Sequence, residues 1–438
     1  MGSSSVAEKR LDSLKDLAEG FRTGRISVRD YLDRLKTRFD QREHKVRAFV
    51  PEEPDRFDRL RQEAAALESR FQDPGSRPLL YGIPLGVKDI FRAEGFSTHA
   101  GSRLPPEVLH GPEAETVTIL KSTGTLVLGK TVTTEFAYRA PGPTRNPHRL
   151  THTPGGSSSG SAAAVAAGLC PLALGTQTVG SVLRPASYCG VVGFKPSYGR
   201  ISTEGVIPLA PSLDHVGFFT ADVESAKLAA SVLCRGWNQD TVVSHPVFGI
   251  PEGPYLKKTS EEGLSYFRRT CSRLCEAGFE VRSVEMLKDF DDIVRRNGLL
   301  MAAEAAQVHK EWFRTYSDRY HEQTAELIRE GEGIQPHILD DCRAGRGKLR
   351  EEIMRIMNRY GLSALLAPAS VGPAPHGLGS TGDPVMNLPW THAGLPAISL
   401  PSGKTSEGLP IGLQVVGSWM NDEVLLGWAQ HLEAVIGP

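Results

Sequence analysis

Apolar residues at helical spacing mark the beginning of the chain. Over residues 11–21 they recur at intervals of three and four, the spacing that puts side chains on one face of an α-helix. A second stripe covers residues 31–39 and follows Ser27, which starts a sequence typical of a capping box. Residues 54–71 indicate a third, more polar helix. We therefore expect residues 1–75 to form helices that pack on a core made by the rest of the chain.

From Pro78 onwards, short apolar runs alternate with stretches rich in small residues. Glycine and proline separate these runs, and strands that alternate with helices are typical of α/β proteins. Residues 241–357 are more charged and mainly helical in pattern, which indicates an insertion or cap. The predicted strands cover residues 79–83, 125–128, 172–174, 191–194, 365–367, 397–400 and 411–416, and further helices are predicted over residues 161–168 and 421–435.

Charge and composition exclude some classes of partner. The 438 residues include 50 Lys and Arg and 51 Asp and Glu, so the net charge is −1. This balance argues against nucleic acid or an anionic membrane surface as a partner. No apolar run approaches the ~18 residues of a membrane-spanning helix, and the first residues lack the apolar segment of a signal peptide, so we expect a cytoplasmic protein. The spacing of the six cysteines predicts no zinc site.

The most unusual stretch is residues 155–161, which read Gly-Gly-Ser-Ser-Ser-Gly-Ser. The glycines free the backbone to expose N–H groups. A flexible linker would have this composition too, but Pro154 precedes the stretch and an Ala-rich helix follows at once, which favours a functional loop. The stretch also has the form Gly-x-Ser-x-Gly around Ser158. The nucleophile elbow of an α/β-hydrolase needs an apolar strand directly before it, and residues 149–154 form a poor one.

A phosphate-binding pattern occurs at residues 124–131, which fit the letters of the Walker A motif. The interior of a P-loop must be a loop that presents N–H groups to phosphate. Residues 125–128 are instead apolar and partly β-branched, so we expect a strand there and no nucleotide binding. Lys130 is then expected at the solvent end of that strand.

A candidate nucleophile lies in residues 175–186. This segment combines a strand end, a turn of Thr and Gly, and Ser181 followed by apolar residues. A turn of this kind exposes a serine hydroxyl, and its consecutive backbone N–H groups can stabilise an oxyanion. The segment therefore predicts a nucleophilic serine.

A serine nucleophile needs a base, and the chain offers several. Lys88 is one candidate, because an apolar surround lowers the pKa of an ammonium group and leaves a neutral amine that accepts a proton. A salt bridge between Lys88 and the adjacent Asp89 is the alternative for this residue. His152 and His215 are further candidates for the base.

The three segments together resemble the amidase signature family. Lys88 fits the lysine motif of that family, residues 155–160 fit its first serine motif, and residues 175–186 fit its second. The similarity extends over about residues 78–435, and only residues 241–357 lack a clear signature. Further matching motifs lie at residues 193–196, 212–215, 387–391 and 408–412.

The resemblance implies a mixed, mostly parallel β-sheet flanked by α-helices on both faces, in a catalytic domain over residues 76–438. It also implies a triad: Ser181 attacks an amide carbonyl, Ser157 (after a cis peptide bond) passes the proton, and Lys88 accepts it. An acyl-serine then gives a carboxylic acid and ammonia, and no metal or organic cofactor takes part. The expected protein is an amidohydrolase that acts on a small linear amide and forms a homodimer.

The resemblance places an oxyanion hole at the backbone N–H groups of Thr178, Val179 and Gly180, joined by that of Ser181. The family usually has glycine where Val179 stands. A β-branched residue is strained at positive φ, so either the turn keeps φ negative or the hole is distorted. A distorted hole would suit a non-catalytic homologue that only binds a ligand.

Arg184 is a second departure from the family pattern. Many members have arginine two residues after the nucleophile, where this chain has Leu183. An arginine one place later resembles the malonamidase-like members, in which it binds a substrate carboxylate, a group that the guanidinium fork suits. The alternative is a structural arginine paired with an acidic side chain. The first interpretation predicts a small amide with a free acid as substrate. Tyr138 and Trp390 are candidate walls of the substrate cleft, and ordinary packing is the alternative for both.

Two further functions stay open. One is the amidase subunit of a tRNA-dependent amidotransferase, which passes ammonia to a partner, although the position of Arg184 argues against it. The other is an esterase of the α/β-hydrolase type that uses Ser158 and a histidine.

Overall fold

The computed structural model describes residues 11–52, 55–241 and 244–437. The predicted starts at residues 1 and 54 therefore lie outside the described residues. The helices are α1 Leu14–Arg22, α2 Val28–Val46, α3 Arg56–Arg70, α4 Glu115–Ser122, α5 Ser159–Ala166, α6 Leu183–Cys189, α7 Val223–Leu233, α8 Glu261–Glu276, α9 Phe290–Tyr316, α10 Glu322–Glu332, α11 Pro336–Arg359, α12 Leu388–Ala393 and α13 Asp422–Ile436. The strands are β1 Pro84–Lys88, β2 Leu126–Thr131, β3 Leu172–Gln177, β4 Val192–Lys195, β5 His215–Thr220, β6 Val247–Glu252, β7 Glu280–Glu285, β8 Ala364–Pro368, β9 Ala397–Lys404 and β10 Pro410–Val416.

These ten strands form one sheet in the order β2-β1-β3-β5-β4-β9-β10-β8-β6-β7. The predicted mixed α/β sheet is confirmed, but the expectation of mostly parallel pairing needs correction. β1 pairs in parallel with β2 and β3, and β6 pairs in parallel with β7 and β8. The five other neighbouring pairs in the described chain are antiparallel. One reason is the short link between β9 and β10, since a connection of that length joins only antiparallel strands.

Helices cover both faces of this sheet. On one face, α5 and α6 pack on each other, with α5 against β3 and β5 and α6 against β4 and β9. On the other, α7 packs against β4 and β5, and α13 packs against β9 and α7. Because β4, β5 and β9 are covered from both sides, all residues of β4 and β5 and the first four of β9 are buried.

The first strand starts later than the sequence predicts. The apolar run at residues 79–83 predicts an extended segment, but these residues form successive turns, in which Ile83 N–H donates to the carbonyl of Leu80. Gly82 has a φ of +73°, a value that ends an extended run. β1 therefore begins at Pro84 and places Lys88 at its carboxyl end.

Residues 241–357 contribute more than an added helical cap. The described part of this region does contain the four helices α8 to α11, but it also supplies β6 and β7, which form one edge of the sheet. Residues 242–243 lie outside the described residues. No helix in the described ranges is long and apolar enough to cross a membrane.

Candidate active site

Lys88 lies at the carboxyl end of β1, between two parallel strands, and its side chain is fully buried. The Nζ atom is 2.7 Å from Ser157 Oγ and 2.7 Å from Thr176 Oγ1. Burial lowers the pKa of Lys88 well below its usual 10.5, and the nearby charge of Asp214 acts in the opposite direction. The structure therefore provides a buried amine between two hydroxyl groups.

The salt bridge considered for Lys88 does not form, since Asp89 has another partner. Its carboxylate is 2.8 Å from Lys130 Nζ, and both side chains are buried. Lys130 also donates to Thr98 Oγ1 at 3.0 Å. The prediction that Lys130 lies at the solvent end of its strand is wrong, because the carboxylate and hydroxyl satisfy the ammonium group inside the protein.

Ser157 and Ser158 follow each other in the glycine-serine loop but have different surroundings. The peptide bond between Gly156 and Ser157 is cis, and the Ser157 hydroxyl faces Lys88. The Ser158 hydroxyl instead bonds the backbone N–H and carbonyl of Thr176, each at 3.2 Å. Ser158 therefore ties the loop to β3 and is fully buried, which argues against its use as a nucleophile.

The turn that carries Ser181 connects β3 to α6. The Gln177 side-chain oxygen accepts hydrogen bonds from the N–H groups of Val182 at 2.8 Å and Leu183 at 3.0 Å. The N–H groups of residues 178–181 form no hydrogen bond within the described chain. Ser181 is 7% exposed. The turn thus presents a serine next to four consecutive N–H groups that are free to bind an anion.

Val179 does not distort this turn through its side chain. It is not among the described residues with positive φ, so the β-branched side chain is not strained. Its carbonyl accepts a hydrogen bond from Thr391 Oγ1 at 2.7 Å, and Thr391 is also bound by Gln177 Nε2 at 2.9 Å. Sequence reasoning misses Thr391, although it lies in the motif at residues 387–391.

Asp214 is a further residue at the site that sequence reasoning misses. Its Oδ1 accepts a hydrogen bond from Thr178 Oγ1 at 2.5 Å, and its Oδ2 accepts from the N–H groups of Leu209 and Ala210. Burial raises the pKa of Asp214 to about 6. Residues 212–215 form one of the family-like motifs in the sequence, so the sequence does mark this position. The contact with Thr178, which indicates a role for Asp214, is visible only in the fold.

Ser181 lines a cleft of about 620 Å³. Tyr138 lines this cleft, as expected, together with Arg139 and residues of α9. Trp390 is predicted there too, but it is fully buried and its Nε1 is 3.3 Å from Tyr255 Oη. Trp390 is a core residue because its indole N–H finds a partner in the interior.

Arg184 lies on α6 at the wall of the cleft and is 3% exposed. Its Nη2 donates to the Gly156 carbonyl at 2.7 Å and to Thr381 Oγ1 at 3.2 Å, and its Nη1 donates to the Gly382 carbonyl at 2.9 Å. No acidic side chain of the described chain forms an ion pair with it. Burial lowers its pKa to about 10. Arg184 therefore links the Ser157 loop to residues 381–382, and Asp383 acts on it as a nearby charge without an ion pair in the described chain.

The two candidate histidines contact neither serine. His215 is buried, and its Nδ1 is 2.6 Å from the Leu213 carbonyl. The His152 ring packs against His376. Among the described residues, Lys88 is thus the sequence-predicted base that the fold brings to a candidate serine.

Comparisons with known proteins agree with this arrangement. A family model described as Amidase matches residues 30–426. A glutamyl-tRNA(Gln) amidotransferase subunit of Prochlorococcus marinus (strain MIT 9211) is 31% identical over 460 residues, which cover 93% of this chain and 94% of that protein. A solved structure described as an amidase is 32% identical with a TM-score of 0.88, and covers 97% of this chain and 100% of that chain. The native peptide amidase of Stenotrophomonas maltophilia is 26% identical with a TM-score of 0.80, and covers 97% and 96% of the two chains.

The family model spans most of the chain, and both the sheet and the three matching segments extend over the same residues. The chain belongs to the amidase signature family and is a serine amidohydrolase that acts on the C–N bonds of amides.

Proposed function

We propose that the protein hydrolyses a small primary amide through an acyl-enzyme on Ser181, with Ser157 and Lys88 as its proton relay. The observation that carries this proposal is the 2.7 Å contact between Lys88 Nζ and Ser157 Oγ. Ser181 lines the cleft, and Arg184 on the wall of that cleft donates to the carbonyl of Gly156, which precedes Ser157. Because burial lowers the Lys88 pKa well below its usual 10.5, the neutral amine that can act as a base is accessible at lower pH than for an exposed lysine.

Each step then has a residue to perform it. Ser181 Oγ bonds to the amide carbon while its proton passes through the Ser157 hydroxyl to Lys88 Nζ. The carbonyl oxygen becomes an oxyanion, which the free N–H groups of residues 178–181 stabilise. Lys88 returns the proton to the leaving nitrogen as the C–N bond breaks and ammonia departs. Water then attacks the acyl-serine by the same relay and releases the carboxylic acid.

We further propose that the substrate carries a carboxylate. Two cationic side chains, Arg139 and Arg184, line the cleft, and no acidic side chain of the described chain forms an ion pair with either. Asp383 is the acidic residue at the same wall. An anionic group in the cleft therefore meets an excess of positive charge. Because the Arg184 donors bond to carbonyl and hydroxyl groups of the protein, Arg139 is the more accessible partner.

Two candidate functions, a stand-alone hydrolase and an amidotransferase subunit, differ in where the ammonia goes. Relatives described as glutamyl-tRNA(Gln) amidotransferase subunits match 93–96% of this chain, which favours an amidase subunit that passes ammonia to a partner. Glutamine is itself an amide with a carboxylate, so the cleft charges suit it too. A stand-alone hydrolase would release ammonia to water. The homodimer and the cytoplasmic location stay predictions under both candidates.

Ammonia release from amides with and without a carboxylate tests the chemistry and the substrate class together. Malonamate, succinamate and glutamine carry a carboxylate, whereas propionamide and butyramide do not. We expect the wild type to release ammonia from the amides that carry a carboxylate, and Ser181→Ala to release none. For Arg139→Gln we expect a raised KM for these amides, with kcat little changed. If Ser181→Ala releases ammonia as fast as the wild type, Ser181 is not the nucleophile. If neutral amides are preferred, the carboxylate proposal is wrong.

Activity of the purified chain, with and without a partner, distinguishes the two candidate functions. A stand-alone hydrolase turns over the amide as the purified chain, with native mass measured by light scattering. An amidotransferase subunit shows glutamine hydrolysis that rises when a co-purifying partner is present, and the partner is identified by mass spectrometry. Full turnover of a non-glutamine amide by the chain alone would argue against the amidotransferase candidate.

A further inference from the structure

We propose that Asp214 is a positioning residue of the amide hydrolysis, which holds the turn before Ser181 through Thr178 and places a negative charge near Lys88. This inference rests on the proposed function, because both groups that Asp214 serves belong to the proposed machinery. Nothing in the chemistry of the triad itself requires a carboxylate at this position.

Both carboxylate oxygens of Asp214 accept hydrogen bonds. One oxygen accepts from Thr178 Oγ1 at 2.5 Å, and the other accepts from the N–H groups of Leu209 at 2.9 Å and Ala210 at 3.0 Å. The carboxylate thus joins the first residue of the free N–H turn to the segment before β5. Thr178 cannot rotate its side chain without losing a bond to a charged acceptor, which is stronger than a bond between neutral groups.

Asp214 is also linked to Lys88, through a cavity that it shares with Thr176 and through its charge. Both Asp214 and Thr176, whose hydroxyl contacts Lys88 Nζ, line a cavity of about 200 Å³. Lys88 forms no ion pair within the described chain, and Asp214 is the charged group whose field opposes the effect of burial on its pKa. When Lys88 takes up the proton during acylation, Asp214 is therefore the anion that stabilises the ammonium form.

Other charged and titratable groups around Asp214 come from three elements. Glu304 of α9 raises the Asp214 pKa through its charge, and Tyr198 has its own pKa raised in part by Asp214. Lys88 of β1 is the cation among these groups. Glu304 also holds Ser212 by two hydrogen bonds, at 2.8 and 2.6 Å, so it fixes the same segment without contact with Thr178.

The experiment compares Asp214→Asn, Thr178→Val and Glu304→Gln, with 4-nitrophenyl acetate as the probe of acylation. In Asp214→Asn the amide cannot accept hydrogen bonds on both sides, and the negative charge is lost. We expect its kcat to fall at least about tenfold with KM little changed. The acidic limb of its kcat/KM profile should move to lower pH by about one unit, since loss of an opposite charge lowers the Lys88 pKa.

Thr178→Val removes one bond and keeps the charge, so its kcat should fall while the acidic limb stays where the wild type has it. Glu304→Gln is the matched control: it neutralises a buried carboxylate of α9 that bonds Ser212 of the same segment but does not contact Thr178. It should leave both kcat and the acidic limb near the wild-type values. Circular dichroism checks that each variant is folded.

The outcomes separate this inference from the proposed function. If Ser181→Ala still shows wild-type acylation by the probe, the proposed function fails. If Ser181→Ala is inactive but Asp214→Asn leaves the limb and kcat unchanged, only the role of Asp214 is wrong. An equal limb shift in Glu304→Gln would also overturn it, because any buried carboxylate nearby would then have the same effect.

Discussion

At the scale of single residues, the turn around Val179 has a conformation that does not need glycine. Because φ is not positive there, replacing Val179 by glycine relieves no strain. The change instead adds conformational freedom to the unfolded chain and removes a side chain that packs partly on the core.

Val179→Gly is therefore expected to lose about 0.5–1 kcal/mol of unfolding free energy without a gain in kcat. Urea denaturation measures the first quantity, and ammonia release measures the second. A several-fold rise in kcat would contradict this account and would mean that the valine holds the N–H groups in a poor position.

Lys88 gives the site its pH dependence. Only the neutral amine accepts a proton, so kcat/KM should rise with pH as Lys88 loses its proton. Burial lowers the pKa, so the acidic limb should lie well below pH 10.5. Lys88→Arg, which stays protonated at every accessible pH, is expected to lose about 10²–10⁴-fold in kcat.

The control for this change is Lys288→Arg, since Lys288 is a surface lysine with a 79% exposed side chain, and it should keep wild-type activity. A profile without an acidic limb, or an active Lys88→Arg variant, would show that another group is the base.

The sequence marks the chemically distinctive residues at this site more clearly than the residues that support them. Ser181, Ser157 and Lys88 each stand in a local sequence motif, so the sequence shows them without knowledge of the fold. Asp214 and Thr391 contribute through distances between segments that are far apart in the chain, and no local pattern encodes such a contact.

At the scale of elements, α5 holds the Ser157 loop against the sheet. This short helix begins two residues after Ser157, and the Gly160 N–H donates to the Val132 carbonyl at 2.9 Å. A Cβ added at Gly160 would lie 2.1 Å from the Ala48 carbonyl oxygen and 2.4 Å from Val132 N. Both atoms belong to the backbone, so they cannot move aside without shifting the loop.

Gly160→Ala is therefore expected to destabilise the protein by about 3 kcal/mol or more, since it overpacks a closed contact. Gly347→Ala on α11 is the matched control. An added Cβ there meets no atom within 4 Å, and alanine favours a helix by about 1 kcal/mol over glycine. Thermal unfolding of both variants measures the difference, and equal melting temperatures would refute the close packing.

The pattern of apolar residues predicts a helix or strand well where one face of the element is buried and the other is exposed to solvent. The amphipathic stripe of α1 and the closing helix α13 have one buried face and one exposed face, and both are confirmed. The strand predicted at residues 79–83 is wrong because turns can also be buried and apolar, as Leu80 and Tyr81 are. The strands β6 and β7 lie in a charged, helix-rich region, and β7 is largely exposed at the sheet edge, so its composition resembles a surface segment.

At the scale of the whole molecule, the sheet explains why distant segments act together. β1 and β3 are parallel neighbours, so their carboxyl ends lie on the same side of the sheet. Lys88 is the last residue of β1, and the turn that carries Ser181 directly follows β3. β5 runs antiparallel to β3, so the amino end of β5, which Asp214 precedes, lies on that same side. Lys88, Ser181 and Asp214 thus come together where three strands meet, although they are far apart in the chain.

The central claim is that Ser181 carries the acyl group, and trapping that group tests it most directly. The wild type, Ser181→Ala and Ser158→Ala are mixed with 4-nitrophenyl acetate, quenched in acid, digested and analysed by mass spectrometry. We predict one acetyl group on the peptide that contains Ser181 in the wild type and in Ser158→Ala, and none in Ser181→Ala. An acetyl group on the peptide with Ser157 and Ser158, retained when Ser181 is replaced, would contradict the account.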